Sequence, residues 1–175
     1  LAGADLSHAS FAHSNLSGVN LGGTILHSVN LWNTNLSDQD FTIADIGDGI
    51  VFMDANLSNS NFEDVNLSPK KSYEYAFQNK AYLVRGPQTI IPVEDLFGPE
   101  PVFVFSYEVR GNDLVVTYAY FNNFGNANLE NANFKNADLK YAGFYSANLA
   151  NVDLSGADLR NAFLGGADLS NANLS

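Results

Sequence analysis

Three histidines, His8, His13 and His27, crowd the first part of the chain, and neighbouring imidazoles are where a metal centre would be sought. Such a centre needs convergent ligands, each ring fixed by a further hydrogen bond. These three instead fall on outward positions of a repeating pattern, which makes them scattered surface histidines. A second group, Glu94, Asp95 and Glu100 in PVEDLFGPEP, has the residue types for paired acid–base carboxylates. The flanking prolines make an acidic turn the better account. The chain has no cysteine, which excludes disulfides, thiolate metal sites and cysteine nucleophiles. No glycine-rich phosphate loop, nucleophile elbow or metal-binding motif is present. The expectation is therefore a protein that is not an enzyme, with no metal and no cofactor.

What positions these residues is a period of five, visible in NANLENANFKNADL (Asn126–Leu139). It is neither the period of a strand nor that of a helix. A large apolar residue recurs from Leu1 to Ile46, slips by one residue around Gly47–Val51, and resumes at Phe52, Leu57, Phe62 and Leu67. It returns at Phe124 and runs unbroken to Leu174, giving 14 quintets before the gap and 11 after it. Two positions before each large residue sits a small one, most often Ala, so both side chains share one face of an extended segment. Asp or Asn lies between them and points the other way, and Ser, Asn and Gly fill the corners. A unit this short cannot bury its own apolar face, so the quintets must stack into a solenoid.

Tandem A(D/N)LXX of this kind resembles the pentapeptide-repeat family over about two thirds of the chain. The resemblance implies an all-β fold: a right-handed quadrilateral β-helix with four quintets per coil and about six coils. Numbering quintets straight across the gap, Phe11, Phe41, Phe52, Phe62, Phe124, Phe134 and Phe144 all fall on odd numbers, and hence on two opposite walls. Residues 1–67 and 124–175 are accordingly expected to form one continuous solenoid.

Residues 68–123 differ from their surroundings, holding all five prolines, six of eight tyrosines and five of eight basic residues. VFVFSYEVR (Val102–Arg110) alternates, with Phe103, Phe105, Tyr107 and Val109 on one face. The following LVVTYAYF predicts a β-hairpin turning around Gly111–Asp113. Lys71–Arg85 is compatible with a short helix or a strand. The insertion is either a structural buttress or a recognition module, with Phe103, Phe105, Tyr107, Tyr118 and Tyr120 as candidate contact residues. Trp32 and Tyr145 follow a large residue directly, should face outward, and lie on one wall three coils apart. They are the second set of interaction candidates.

The formal charge of −11 argues against direct binding of nucleic acid or of an anionic membrane surface. No apolar run approaches the roughly 18 residues of a membrane-spanning helix. Much of the acidity lies where the motif itself favours Asp or Asn, as at Asp5, Asp40, Asp138 and Asp168. The string NLS, formally a glycosylation sequon, is likewise generated by the repeat. Some proteins of the resembled family are acidic DNA mimics that bind DNA gyrase, although they carry short loops rather than a long aromatic insert. The primary expectation is a rigid scaffold, a component of a larger protein or assembly, that engages a protein partner with residues 68–123 as its recognition surface. The alternatives are gyrase-directed mimicry and a purely structural spacer. Because the chain opens on Leu1 inside a repeat, missing flanking domains or end-to-end self-association are expected. Bacterial cytoplasm, periplasm and thylakoid lumen, in cyanobacteria above all, all suit such a protein.

Overall fold

A computed structural model describes residues 1–70 and 121–175 with their side chains, together with the backbone of strands β1 (Tyr73–Phe77), β2 (Val102–Arg110) and β3 (Asp113–Tyr120). These residues belong to two compact units, Leu1–Lys70 with Phe121–Ser175, and Lys71–Tyr120.

The first unit is a β-helix whose hydrogen bonds can be followed one quintet at a time. In the quintet of Phe134, Ala132 N–H closes a turn on Leu129 C=O (3.0 Å), and Asn133 N–H reaches back one coil to Ser60 C=O (2.9 Å). Phe134 and Asn136 N–H reach forward to Asp153 C=O (2.7 Å) and Ser155 C=O (2.9 Å). That leaves Lys135 N–H, which the Asn133 side-chain Oδ1 accepts at 3.0 Å. All five N–H groups are paired, as a backbone with little water access requires. The motif's preference for Asp or Asn thus has a cause: only a short side chain with a terminal oxygen covers the N–H two residues on. The same amides stack into a ladder, Asn56 to Asn35 (3.1 Å) and Asn148 to Asn128 (3.0 Å).

The corner residue adopts positive φ in quintet after quintet, for example Asn131 at 59° and Asn136 at 57°. One positive φ at the third residue of a turn closed by an i to i+3 bond is a type II turn, which suits Gly and Asn. At Ile43 the turn bond persists (Ala44 N–H to Phe41 C=O, 3.1 Å) without positive φ. A β-branched side chain does not enter the left-handed region cheaply.

Parallel bridges place the coils. Asn15 pairs with Asn35, Asn35 with Asn56, Asn56 with Asn128, Asn128 with Asn148 and Asn148 with Asp168. Each step is four quintets, lengthened by one residue at Gly47–Ile50 and by the inserted segment at Leu67–Asn123. Inside, Phe41, Phe62 and Phe134 stack at 4.5 and 4.7 Å on one wall, and Phe52, Phe124 and Phe144 at 4.8 and 4.9 Å on the opposite one. The two columns meet edge to face, as Phe62 and Phe124 do at 6.0 Å and 87°.

Where the chain leaves and returns, Asn122 occupies the inward position that Ala takes in most quintets, and it is 1% exposed. Its Oδ1 accepts from Ile50 N–H (3.0 Å), displaced from its usual turn by the extra residue. Its Nδ2 donates to Leu67 C=O (3.1 Å), left without a turn partner where the segment departs. Ser68, Pro69 and Lys70 stay with the solenoid: Ser68 Oγ donates to Asp138 (3.1 Å) and Lys70 N–H to Asp48 (2.7 Å). The second unit accordingly spans Lys71–Tyr120, narrower at both ends than the composition change at 68–123.

In that second unit the strands form an antiparallel sheet in the order β1-β3-β2. Arg110 stands opposite Asp113 at the hairpin end. The even alternation expected through Phe103, Phe105, Tyr107 and Val109 does not hold, because the register shifts between Val104 and Ser106. Phe103 is paired with Ala119 and Tyr107 with Val116, register positions of opposite parity on β3. Of Lys71–Arg85, Tyr73–Phe77 is strand, paired to β3. Residues 78–85 and the acidic cluster Glu94, Asp95 and Glu100 lie outside the described residues.

Candidate interaction surface

Each quintet shows two side chains outward, the one before the large residue and the one after it. On three walls of the solenoid the first of these is Asp or Asn almost throughout. The wall built on Phe52, Phe124 and Phe144 departs from this. Its outward positions carry Trp32, Val51, Met53, Gly143, Tyr145 and Phe163, with Asn123 and Gly125 in the coil between Met53 and Gly143. Trp32 is 43% exposed, Tyr145 66% and Phe163 41%, so the wall bears an aromatic stripe with apolar residues between.

The rings are held. Trp32 Nε1 donates to Asp54 Oδ2 at 2.7 Å, and the His13 ring meets the indole edge-on at 4.6 Å. His13 Nδ1 lies 3.0 Å from Asn33 Nδ2. Tyr145 lies across Gly165 of the next coil, where an added Cβ would stand 3.4 Å from the ring. Phe121 lies likewise across Gly143, with 2.6 Å to such a Cβ, and its ring reaches Phe163 at 6.0 Å. Glycine at these two places leaves room for a ring edge to pack against the wall.

Replacing Asp or Asn on this wall has a second effect. Trp32 and Gly125 N–H are still covered by Asn30 and Asn123 (3.0 and 2.9 Å). Val51, Gly143 and Phe163 have no such oxygen, and among the described residues the N–H groups of Met53, Tyr145 and Gly165 have no acceptor. From Trp32 to Gly165 the carbonyls of the same column are taken: Trp32 by His13 N–H (2.9 Å), Met53 by Asn33 (2.8 Å), Gly125 by Asp54 (2.9 Å), Tyr145 by Asn126 (2.8 Å) and Gly165 by Ser146 (2.9 Å). Over that stretch the wall therefore offers backbone donors and no free backbone acceptors.

Trp32 and Tyr145, picked out from the sequence, lie on this wall. Val51, Met53 and Phe163 were missed, although the signal was available: an outward position that is not Asp or Asn. The aromatic candidates Phe103, Phe105, Tyr107, Tyr118 and Tyr120 belong to β2 and β3 of the other unit. The histidines do not converge. His8 and His13 occupy corners with φ of 63°, and His27 Nε2 sits 3.2 Å from Asp45 Oδ2, ion-pair range but outside hydrogen-bond geometry. Among the described residues no group of three His or carboxylate side chains could hold a metal ion. Among the described residues no helix is long and apolar enough to cross a membrane.

The solenoid carries thirteen carboxylates against four basic side chains, Lys70, Lys135, Lys140 and Arg160. Each base is already engaged by a carboxylate. Lys140 and Arg160, one coil apart, converge on Asp158 at 3.9 and 2.6 Å. The hydrogen bond from Arg160 holds the Asp158 carboxyl down at about 2, and the pairing raises Arg160 in turn. Ser7 and Ser170 lower Asp5 and Asp168 by donating hydrogen bonds to them. Six of the thirteen carboxylates, Asp5, Asp40, Asp138, Asp153, Asp158 and Asp168, cover the N–H two residues on and so are parts of the repeat's hydrogen bonding.

The pentapeptide repeats profile matches eight copies over residues 4–42, 123–156 and 147–175. Among solved structures, the chain is similar to HetL, a pentapeptide repeat protein involved in heterocyst differentiation regulation in the cyanobacterium Nostoc. The identity is 20% and the TM-score 0.51, over 98% of this chain and 61% of HetL, so the chain spans less than two thirds of that relative. Rfr23 from the cyanobacterium Cyanothece matches at 18% identity and TM-score 0.38, over 99% of this chain and 90% of that one. A thylakoid-lumen pentapeptide repeat protein of Arabidopsis thaliana matches at 16% and 0.39, over 99% and 70%. No curated protein matches the sequence significantly. With the profile spread over more than half its residues, the chain belongs to the pentapeptide repeat family, whose fold is the right-handed β-helix.

Proposed function

We propose that this chain is a non-enzymatic scaffold, part of a larger protein or assembly, that recognises a protein partner through the Trp32 wall. The observation that carries this reading is the concentration of exposed aromatic and apolar residues on one wall, when the other three are built almost wholly from polar outward residues. A contiguous apolar surface rimmed by polar residues is characteristic of protein interfaces. The solenoid adds stiffness, since its backbone is already ordered and little conformational entropy is lost on binding. The inserted unit, with its aromatic strands, is the second recognition surface. Acidic mimicry directed at gyrase is the competing reading, and six of the thirteen carboxylates it would use already serve the repeat's hydrogen bonds.

Three baits separate these readings: the chain itself, a Trp32→Ser/Tyr145→Ser variant, and a chain with residues 71–120 replaced by a short turn. The partner is expected on the first and third and lost from the second. Retention by the wall variant with loss on replacing the insert transfers recognition to the insert. Inhibition of gyrase supercoiling that weakens steeply with salt would instead establish mimicry; no effect is expected.

A further inference from the structure

We infer that the occupant of the Trp32 wall is an extended, proline-rich segment of the partner that carries a basic residue, an assignment that rests on the scaffold reading above. Three observations converge on it. Among the described residues the wall leaves the N–H groups of Met53, Tyr145 and Gly165 without an acceptor, while the carbonyls of that column from Trp32 to Gly165 are all hydrogen-bonded within the solenoid. An added β-strand needs both donors and acceptors from its neighbour, so it would be left with its own N–H groups unmet. A polyproline helix has the complementary pattern: its carbonyls are free, and proline has no N–H to satisfy.

The rings fit the same ligand. Tyr145 packs its Cδ2–Cε2 edge over Gly165 and stays 66% exposed, and Trp32 is held by Asp54, so both are fixed platforms of the kind on which proline rings pack. They are three coils apart, about 14 Å at the usual strand spacing, which about five residues of polyproline helix span at ~3.1 Å each. The charge is complementary as well: Asp54 borders the stripe, none of the stripe residues is basic, and every basic side chain of the solenoid is paired elsewhere.

A second copy of this chain is a poorer occupant. The wall measures about 29 Å by about 10 Å, roughly 300 Å², against the ~800 Å² per partner of a stable interface. A short linear segment needs no more than this.

The chain's single tryptophan, Trp32, lies in the site and reports on it directly. Its emission is to be titrated with a synthetic peptide of Pro-Pro-Arg repeats and with an Ala-Ala-Arg peptide of equal length and charge. A saturable change is expected for the first, with affinity at least about tenfold above the second. Tyr145→Ala should weaken it by about tenfold through the lost platform. Val51→Asn, which places the repeat's usual oxygen over Met53 N–H, should weaken it while leaving the melting temperature unchanged or raised. Equal affinity for both peptides would reduce the effect to charge and overturn the assignment, as would a Tyr145→Ala variant that binds normally or the absence of any saturable change. If the peptide fails while the wall variant still loses its partner from the baits above, only the chemistry of the occupant falls. If cello-oligosaccharides saturate the signal instead, the occupant is a glycan and the proposal is wrong.

Discussion

At the residue scale, Asn122 does with one side chain what two turns do elsewhere in the solenoid. Its amide takes the N–H of Ile50, orphaned by the extra residue at Gly47–Ile50, and the C=O of Leu67, orphaned by the departing chain. Both partners are buried, so neither finds water if the amide goes. Asn122→Ala should therefore cost about 2–4 kcal/mol, the penalty of two unmet buried polar groups. Ala at that inward position is otherwise the repeat's own choice, so Ala itself brings no clash. Urea unfolding of the two chains measures the difference, and a loss below about 0.5 kcal/mol would mean that water or a local shift replaces the amide. Nothing in the sequence marks Asn122 for this role. Its neighbours read as one more irregular quintet, and its partners lie at the two other breaks in the period.

At the element scale, the quintet itself was legible because its chemistry is local. The Asp or Asn two residues before the N–H it covers, the Ala and Leu on one face, and the corner Asn or Gly are all set by contacts within a few positions. The odd-numbered phenylalanines carried the same legibility one step further, to opposite walls. What local reading could not supply was the content of one wall read down its axis. Val51, Gly125 and Tyr145 become neighbours in successive coils only after the extra residue and the long segment are subtracted. Local pattern leaves strand β1 open between helix and strand for a similar reason: Tyr73–Phe77 pairs with β3, far along the chain. The phenylalanine columns give this scale its prediction. Phe62 lies between Phe41 and Phe134 at 4.5 and 4.7 Å and meets Phe52 and Phe124 edge-on, so it is shared by three coils and both blocks of repeats. Phe62→Ala should destabilise by about 3–5 kcal/mol, and Phe62→Leu by clearly less because Leu is the common occupant of this position. Thermal melts of the two variants would show whether the stack is this continuous. Equal losses would point to a core that tolerates any apolar side chain.

At the scale of the whole molecule, the solenoid is stabilised coil against coil, so each coil draws its protection from the two beside it. The third coil ends in Val51–Leu67 and the fourth begins at Asn123, joined by four parallel bridges: Val51 to Asn123, Asn56 to Asn128, Asn61 to Asn133 and Asn66 to Asp138. These coils hold four of the six fully buried rings, whereas Leu6 and Phe11 at one end and Leu164 and Leu169 at the other are only partly buried. Hydrogen exchange of this chain should then be slowest in residues 52–67 and 124–144, with matching opening free energies on both sides of the inserted segment, and should quicken gradually toward both ends. The inserted segment divides the sequence there but not the hydrogen-bond ladder, so no step is expected between Leu67 and Phe124. Two separate plateaus, one for each block of repeats, would show that the four bridges do not couple them. The solenoid would then be two short stacks in series, and a wall running from Trp32 to Tyr145 could not hold one ligand rigidly along its length.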